Sequence, residues 1–367
     1  MLSHFLQNTH IESAFDPEVG PCATPNRALT FSSFVSLFNN SDHSHTADVF
    51  RLGHALFDPL DLRLAPDIRS DIRNRVTALR RTDEFSSWLA QAVIPQVEED
   101  LRSLPFADLT KQAFVHLTGN QIEKAVELLL SAGNVRLATL ISQVPGDEIL
   151  RADAETQLRI WKGEKVDALM NEDIRKMYAL ASGLTNYWEG SSRKEDVEPG
   201  KGLHWLRVVG LQLWFASLLD APLKHTLGVY ERLFKEDSRR AAPPTPWYSN
   251  IPAIGLTSIK DGLYLLMKLF ISTSMTLEST LLPLAFSTSP RDNRIPWLIY
   301  VLLARCMRIR EFLDPMILDD DDTEDIEPNI YSATAESLTI DYASQLEQEG
   351  NIQESAFVLL FLKDDIG

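Results

Sequence analysis

Cysteine is close to absent from this sequence. Cys22 and Cys306 are the only two in 367 residues. They stand far apart and form no CxxC spacing, which argues against a disulfide framework or a structural zinc site and fits a reducing compartment. Positive charge is also scarce: 35 lysines and arginines face 52 aspartates and glutamates, a formal charge of −17. That balance argues against a broad basic surface for nucleic acid or for an anionic membrane. No apolar run reaches the roughly 20 residues that span a bilayer. The longest, Trp205 to Leu219, is broken by Arg207 and Gln212 and reads as a buried helix. The amino-terminal MLSHFLQNTHIESAF has neither the basic start nor the unbroken apolar stretch of a secretory signal. The Asn39-Asn40-Ser41 sequon therefore carries no glycosylation reading.

The motifs of catalysis are missing too. GxSxG, HExxH, GxxxxGK[ST] and GxGxxG do not occur. EPGKG around Lys201 lacks the first glycine and the hydroxyl residue of a phosphate loop. His204 and His225 flank an apolar helix with no nucleophile nearby, so they read as structural histidines. In SDHSHTAD, Asp42, His43, His45 and Asp48 offer an HxH pair to a metal, but no third ligand follows at a characteristic spacing. A polar cap before a helix over Asp48–Phe57 accounts for the same residues. Asp319 to Asp322, Glu324, Asp325 and Glu327 crowd one segment that could attract calcium. It lacks the central glycine and spaced ligands of an EF-hand and reads as a solvated loop. No residue is assigned as catalytic, cofactor-binding or metal-binding, and an enzyme hypothesis is left without residues.

What is present is helix. At 44% hydrophobic and 24% charged residues, the composition is that of a soluble globular protein. Three Gly-Asn pairs, Gly119-Asn120, Gly133-Asn134 and Gly350-Asn351, each precede an apolar pattern of helical period. Ile122, Ala125, Leu128 and Leu129 share one helix face, and Leu137, Leu140 and Ile141 form the next. Glycine suits the left-handed residue that ends a helix, and Asn134 can cap the following one by accepting a backbone N–H. Helices joined this tightly turn back on each other as hairpins. Ala125 and Ala356 each follow their Asn at the same interval, which marks them as close helix contacts. No alternating run predicts a sheet. The pattern predicts an all-α stack or solenoid with on the order of fifteen helices.

Residues 1–27 read as an irregular lead-in and 28–367 as a single helical domain. Three breaks, 190–202, 239–252 and 314–329, are too short to separate domains and read as loops. Trp161, Trp188, Trp205, Trp214, Trp247 and Trp297 lie on helices or at their ends. They read mostly as core, with one or two free to anchor a partner.

The segments VFRLGHALFDPLDL (49–62), LTGNQIEKAVELLLSAGNVRLATLISQ (117–143) and QLRIWKGEKVDALMNEDIRKMYALASG (157–183) have a further property. With LHWLRVVGLQLWFASLLDAPL (203–223), IPWLIYVLLA (295–304) and YASQLEQEGNIQESAFVLLFL (342–362), they resemble, in order, the scaffold nucleoporins of the nuclear-protein-96 type. These are the carboxy-terminal products of an autoproteolysed precursor. The resemblance implies a fold-back helical domain of the ancestral coatomer type, with a crown over roughly 85–190 and trunk helices around it. It implies a structural role in the Y-shaped coat of the nuclear pore at the nuclear envelope, supporting nucleocytoplasmic transport and mRNA export. The implied partners are a stalk nucleoporin of the nucleoporin-107 type at the crown, a coat-shared β-propeller, and other nucleoporins of that complex. No cofactor, nucleic acid or membrane span is implied. Residues 1–27 show no set of strands for the blade that completes the propeller, and the chain stops short of the family's helical tail. Phe-Gly repeats and the autoproteolytic segment are absent from this sequence. The alternative from the same architecture is a vesicle-coat cage subunit or another helical-repeat adaptor.

IRKMYALASGL places Ile174, Met177 and Tyr178 on one flank of a crown helix, with Leu180 and Leu184 on another. These five residues are the expected partner-binding set, with burial between two internal layers as the competing reading.

Overall fold

A computed structural model describes residues 1–12, 21–65, 67–217, 221–248, 259–310 and 333–362. The acidic segment 314–329 and the end of the proline-rich break, 249–252, lie outside them. The described chain is all-α apart from one two-stranded sheet. It divides into two compact units: Met1–Pro59 with Thr245–Gly367, and Leu60–Pro244. The chain leaves the first unit, completes the second, and returns. The second unit contains the whole of the expected crown.

The first unit begins with α1 (Leu2–Gln7), β1 (Thr9–Glu12), β2 (Cys22–Pro25), α2 (Phe31–Val35) and α3 (His45–Phe57). The second holds α4 (Ser70–Ala92), α5 (Ile94–Ser103), α6 (Leu109–Thr118), α7 (Ile122–Ser131) and α8 (Val135–Ile141). It continues with α9 (Glu148–Gly163), α10 (Glu172–Ala181), α11 (Trp205–Leu211) and α12 (Leu223–Glu236). Back in the first unit come α13 (Gly262–Ile271), α14 (Leu277–Thr280), α15 (Pro283–Phe286), α16 (Arg294–Tyr300), α17 (Ala333–Gln348) and α18 (Ile352–Leu359). Two buried π-helical segments, Gln212–Ala216 and Val301–Cys306, extend α11 and α16.

Residues 1–27 are therefore not wholly irregular. β1 and β2 pair antiparallel, with Thr9 opposite Pro25 and Glu12 opposite Cys22. Among the described residues these two strands fall short of the four in a propeller blade. The order comes from Phe5, whose ring lies 5.9 Å from Trp297, 5.9 Å from Phe357 and 5.4 Å from Phe361. Burying such rings contributes through area and edge-to-face geometry, and the partners stand hundreds of residues away, so no local pattern announces them. Trp297 donates its Nε1–H to Thr339 Oγ1 at 3.2 Å, tying α16 to α17. Asp58, buried at the end of α3, accepts the N–H groups of Phe31 and Ser32 at 2.9 and 2.8 Å and so closes the start of α2. Gly53 of α3 lets Phe31 approach so closely that an added Cβ would meet its ring at 2.2 Å.

The helix junctions share one geometry. Asn120, Gly133 and Gly350 are left-handed, at φ 59°, 77° and 84°. The next residues, Gln121, Asn134 and Asn351, bond back to the carbonyls of His116, Leu129 and Leu346. These are Schellman closures that run at once into the next helix. Asn134 makes no side-chain cap bond; only its backbone serves. The first junction is displaced by one residue, because asparagine rather than glycine takes the left-handed position. Counting from that residue, the small side chain facing the neighbour is Ala125, Ala138 and Ser355, all buried. Ala356 is exposed, contrary to the interval read from the Gly-Asn pairs.

Candidate docking surface

In the second unit α8 packs against α10, which also rests on α6 and α9. α8 buries Leu137, Ala138 and Ile141 and leaves Val135 off that stripe, 59% exposed. Ahead of α10, the 3-10 turn Val166–Leu169 turns Leu169 outward, 86% exposed. The turn is held from beneath. Asp167 is buried and accepts both the N–H and the hydroxyl of Ser191 at 2.6 Å. Burial works to raise the Asp167 pKa, but the hydrogen bonds from Ser191 and Ala168 outweigh it and keep the carboxyl below its usual range. Between the two helices lies a cleft of about 270 Å³, lined by Asn134, Val135, Leu137, Met170, Ile174 and Tyr178 among others. Leu130, on the last turn of α7, is half-exposed.

The five expected partner residues divide. Ile174 and Tyr178 line the cleft, with the Tyr178 ring edge-on to Trp161 at 4.6 Å. Burial raises the Tyr178 pKa, so the phenol stays protonated. Leu184 is half-buried just beyond Gly183. Met177 and Leu180, 0% and 1% exposed, belong to the core, because α10 is enclosed by α6, α8 and α9. Leu130, Val135 and Leu169 were not legible as surface. Leu169 falls in a turn whose helical-looking sequence hides the 3-10 geometry, and Val135 opens a helix too short for its two faces to be told apart.

The polar clusters are accounted for by structural bonds. Ser44 caps α3, so that helix starts at His45, three residues before the expected position. Asp42 accepts the Ser44 N–H at 2.8 Å, and His45 Nε2 lies 3.5 Å from Asp261 Oδ1. Among the described residues no group of three His, Cys, Asp or Glu is placed to hold a metal. Lys201 pairs with Glu198 at 2.9 Å, and His204 Nδ1 accepts the Leu206 N–H at the start of α11. No described helix is long and apolar enough to cross a membrane. Trp205, Trp214 and Trp297 are core, while Trp247 is exposed.

Comparison with known proteins gives the helical units a family. The family described as nuclear protein 96 matches residues 111–367. Nucleoporin nup189 of Schizosaccharomyces pombe is 27% identical over 348 residues, 93% of this chain and 18% of its own length. The nuclear pore complex protein Nup98-Nup96 of Drosophila melanogaster is 29% identical over 247 residues, 67% of this chain and 12% of its own. The nuclear pore complex protein NUP96 of Arabidopsis thaliana is 33% identical over 211 residues, 55% and 19% respectively. The chain thus spans less than a fifth of the length of each of these relatives. With a helical fold matched over most of its residues, the chain belongs to the Nup96 family of nuclear pore proteins.

Proposed function

We propose that this chain is a structural scaffold of the nuclear pore coat at the nuclear envelope. It supports nucleocytoplasmic transport and mRNA export through helical assembly, without catalysis of its own. The docking face for a neighbouring stalk nucleoporin of the nucleoporin-107 type is the cleft between α8 and α10, with Leu130, Val135 and Leu169 around it. The observation that carries this reading is the exposure of Leu169 and Val135 at a cleft of a family-matched helical unit. A fully buried leucine or valine contributes about 1.5–3 kcal/mol relative to leaving it in water.

The test is co-elution of the purified chain with the stalk nucleoporin on size-exclusion chromatography, repeated with Leu169→Glu and Val135→Glu. Both variants should lose the complex while melting like the parent, because the substituted positions face water in the free chain. Met177→Glu should instead lose the fold, since it buries a charge in the core. Undiminished binding by both surface variants would move the interface elsewhere.

A further inference from the structure

The polar loop between α10 and α11, residues 186–202, is tied into a knot. Trp188 and Val197 exchange backbone hydrogen bonds at 2.9 Å. Tyr187 donates its hydroxyl to Asp196 at 2.9 Å, and Gly190 N–H donates to the same carboxylate at 3.0 Å. The Arg240 guanidinium stacks on Tyr187, 4.4 Å from the ring centroid, and binds Glu198.

At the heart of the knot are two carboxylates, Asp167 and Glu195, each less than a tenth exposed. Neighbouring serine hydroxyls satisfy both. Ser191 donates to Asp167, and Ser192 donates to Glu195. Glu195 has little room to move, since a Cβ on Gly190 would meet its backbone at 2.5 Å. Its carbonyl oxygen also accepts from Arg175, a buried guanidinium whose Nε has no partner. Ser192 itself is exposed, in extended backbone, followed by exposed Arg193 and Lys194.

We propose that Ser192 is a phosphorylation site whose phosphate opens this knot and unseats the turn that presents Leu169. A protein kinase would supply the group from a nucleoside triphosphate. The serine Oγ–P bond forms as the bridging bond between the β- and γ-phosphates breaks. The nucleoside diphosphate leaves, and the hydroxyl proton passes to the kinase's base. Oγ then has no hydrogen to donate, and a charge of about −1.5 to −2 stands against the Glu195 carboxylate. Glu195, less than a tenth exposed, is poorly screened from that charge, and the repulsion drives the 192–195 turn apart. When that turn opens, the backbone carbonyl of Glu195 moves off Arg175. Ser191 is drawn off Asp167, and the Val166–Leu169 turn packed on residues 193–195 is released.

The opening of the loop follows from these contacts alone; its effect on partner docking rests on the function proposed above. The test uses the full chain with phosphoserine incorporated at 192, followed by amide hydrogen exchange. Exchange at Trp188, Val197 and 166–170 should rise at least about tenfold while α6 is unchanged, as expected of local opening. Unchanged or slower exchange there would overturn the proposal. So would the absence of Ser192 phosphate, by mass spectrometry, from the chain isolated from both growing and dividing cells. In the size-exclusion assay the phosphorylated chain should lose the stalk partner that the unmodified chain binds. Retention of the partner with the loop open would refute the switch. If the unmodified chain binds no partner, the docking reading fails, and the exchange result still decides the site.

Discussion

Asp48 sits in the first turn of α3, 13% exposed, with Arg51 at 3.5 Å. Burial pushes its carboxyl up from the ordinary value near 4 to about 6, against the opposing pull of Arg51. The folded chain therefore holds this proton more tightly than the unfolded chain does. Below about pH 4 both states are protonated and the residue exacts no penalty. As pH rises from 4 to 6 the unfolded state ionises first, so stability falls, and above 6 the full penalty is in place. Asp48→Asn should accordingly exceed the parent by up to about 3 kcal/mol at pH 7, the shift being about two pK units at 1.36 kcal/mol each. The two should converge below pH 4 in urea titrations. A variant that is less stable at pH 7 would show that the carboxylate's interactions in the first turn outweigh its desolvation. Cys306 makes a quieter case of the same effect. Burial lifts its thiol to about 12, which leaves it a packing group and not a nucleophile.

At the scale of elements, the Schellman junctions turn three residue positions into helix contacts. Ala125 and Ala138 are buried where neighbouring helices meet, so Ala125→Leu and Ala138→Leu should each overpack and cost about 1–3 kcal/mol. Ala356→Leu, on an exposed position, should stay within about 0.5 kcal/mol of the parent. Thermal melts of the three variants check both statements. Equal melting of Ala125→Leu and Ala356→Leu would remove the distinction. The helices themselves were legible, since 3.6-residue periodicity and the glycine stops are written locally. Which side of a junction faces inward was not. It depends on whether glycine or asparagine takes the left-handed position, and either can. The same limit applies to the proposed docking face. Ile174 and Tyr178 line the cleft, while Met177 and Leu180 carry the same apolar signal and lie in the core. Only the positions of α6, α8 and α9 decide between them.

For the whole molecule the informative fact is that one unit is assembled from both ends of the chain and the other from its middle. No periodicity reveals that, because the contacts that join the ends are aromatic and lie far apart in sequence. The division predicts different fates for fragments. Leu60–Pro244 made alone should melt cooperatively with high helix content by circular dichroism. Residues 245–367 made alone should not, since Trp297, Phe357 and Phe361 would lack the Phe5 ring they enclose. Adding residues 1–59 as a separate chain should restore helix to the second fragment. A cooperative melt of 245–367 by itself would show that the amino-terminal segment is an accessory.

The ring of Phe5 has one more consequence, in the order of events on the ribosome. It is made hundreds of residues before Trp297, Phe357 and Phe361. At about 5–20 residues per second, α1 to α3 wait on the order of tens of seconds for their counterparts. Through that interval Phe5, Phe31, Phe34 and Phe50, all fully buried in the finished chain, have no complete core to enter. The middle unit can close meanwhile, because everything it needs is already synthesised. A nascent chain of this topology carries the sticky segment α1 to α3 while the middle unit is already finished, and chaperone occupancy during synthesis should concentrate on that segment until α16 to α18 arrive.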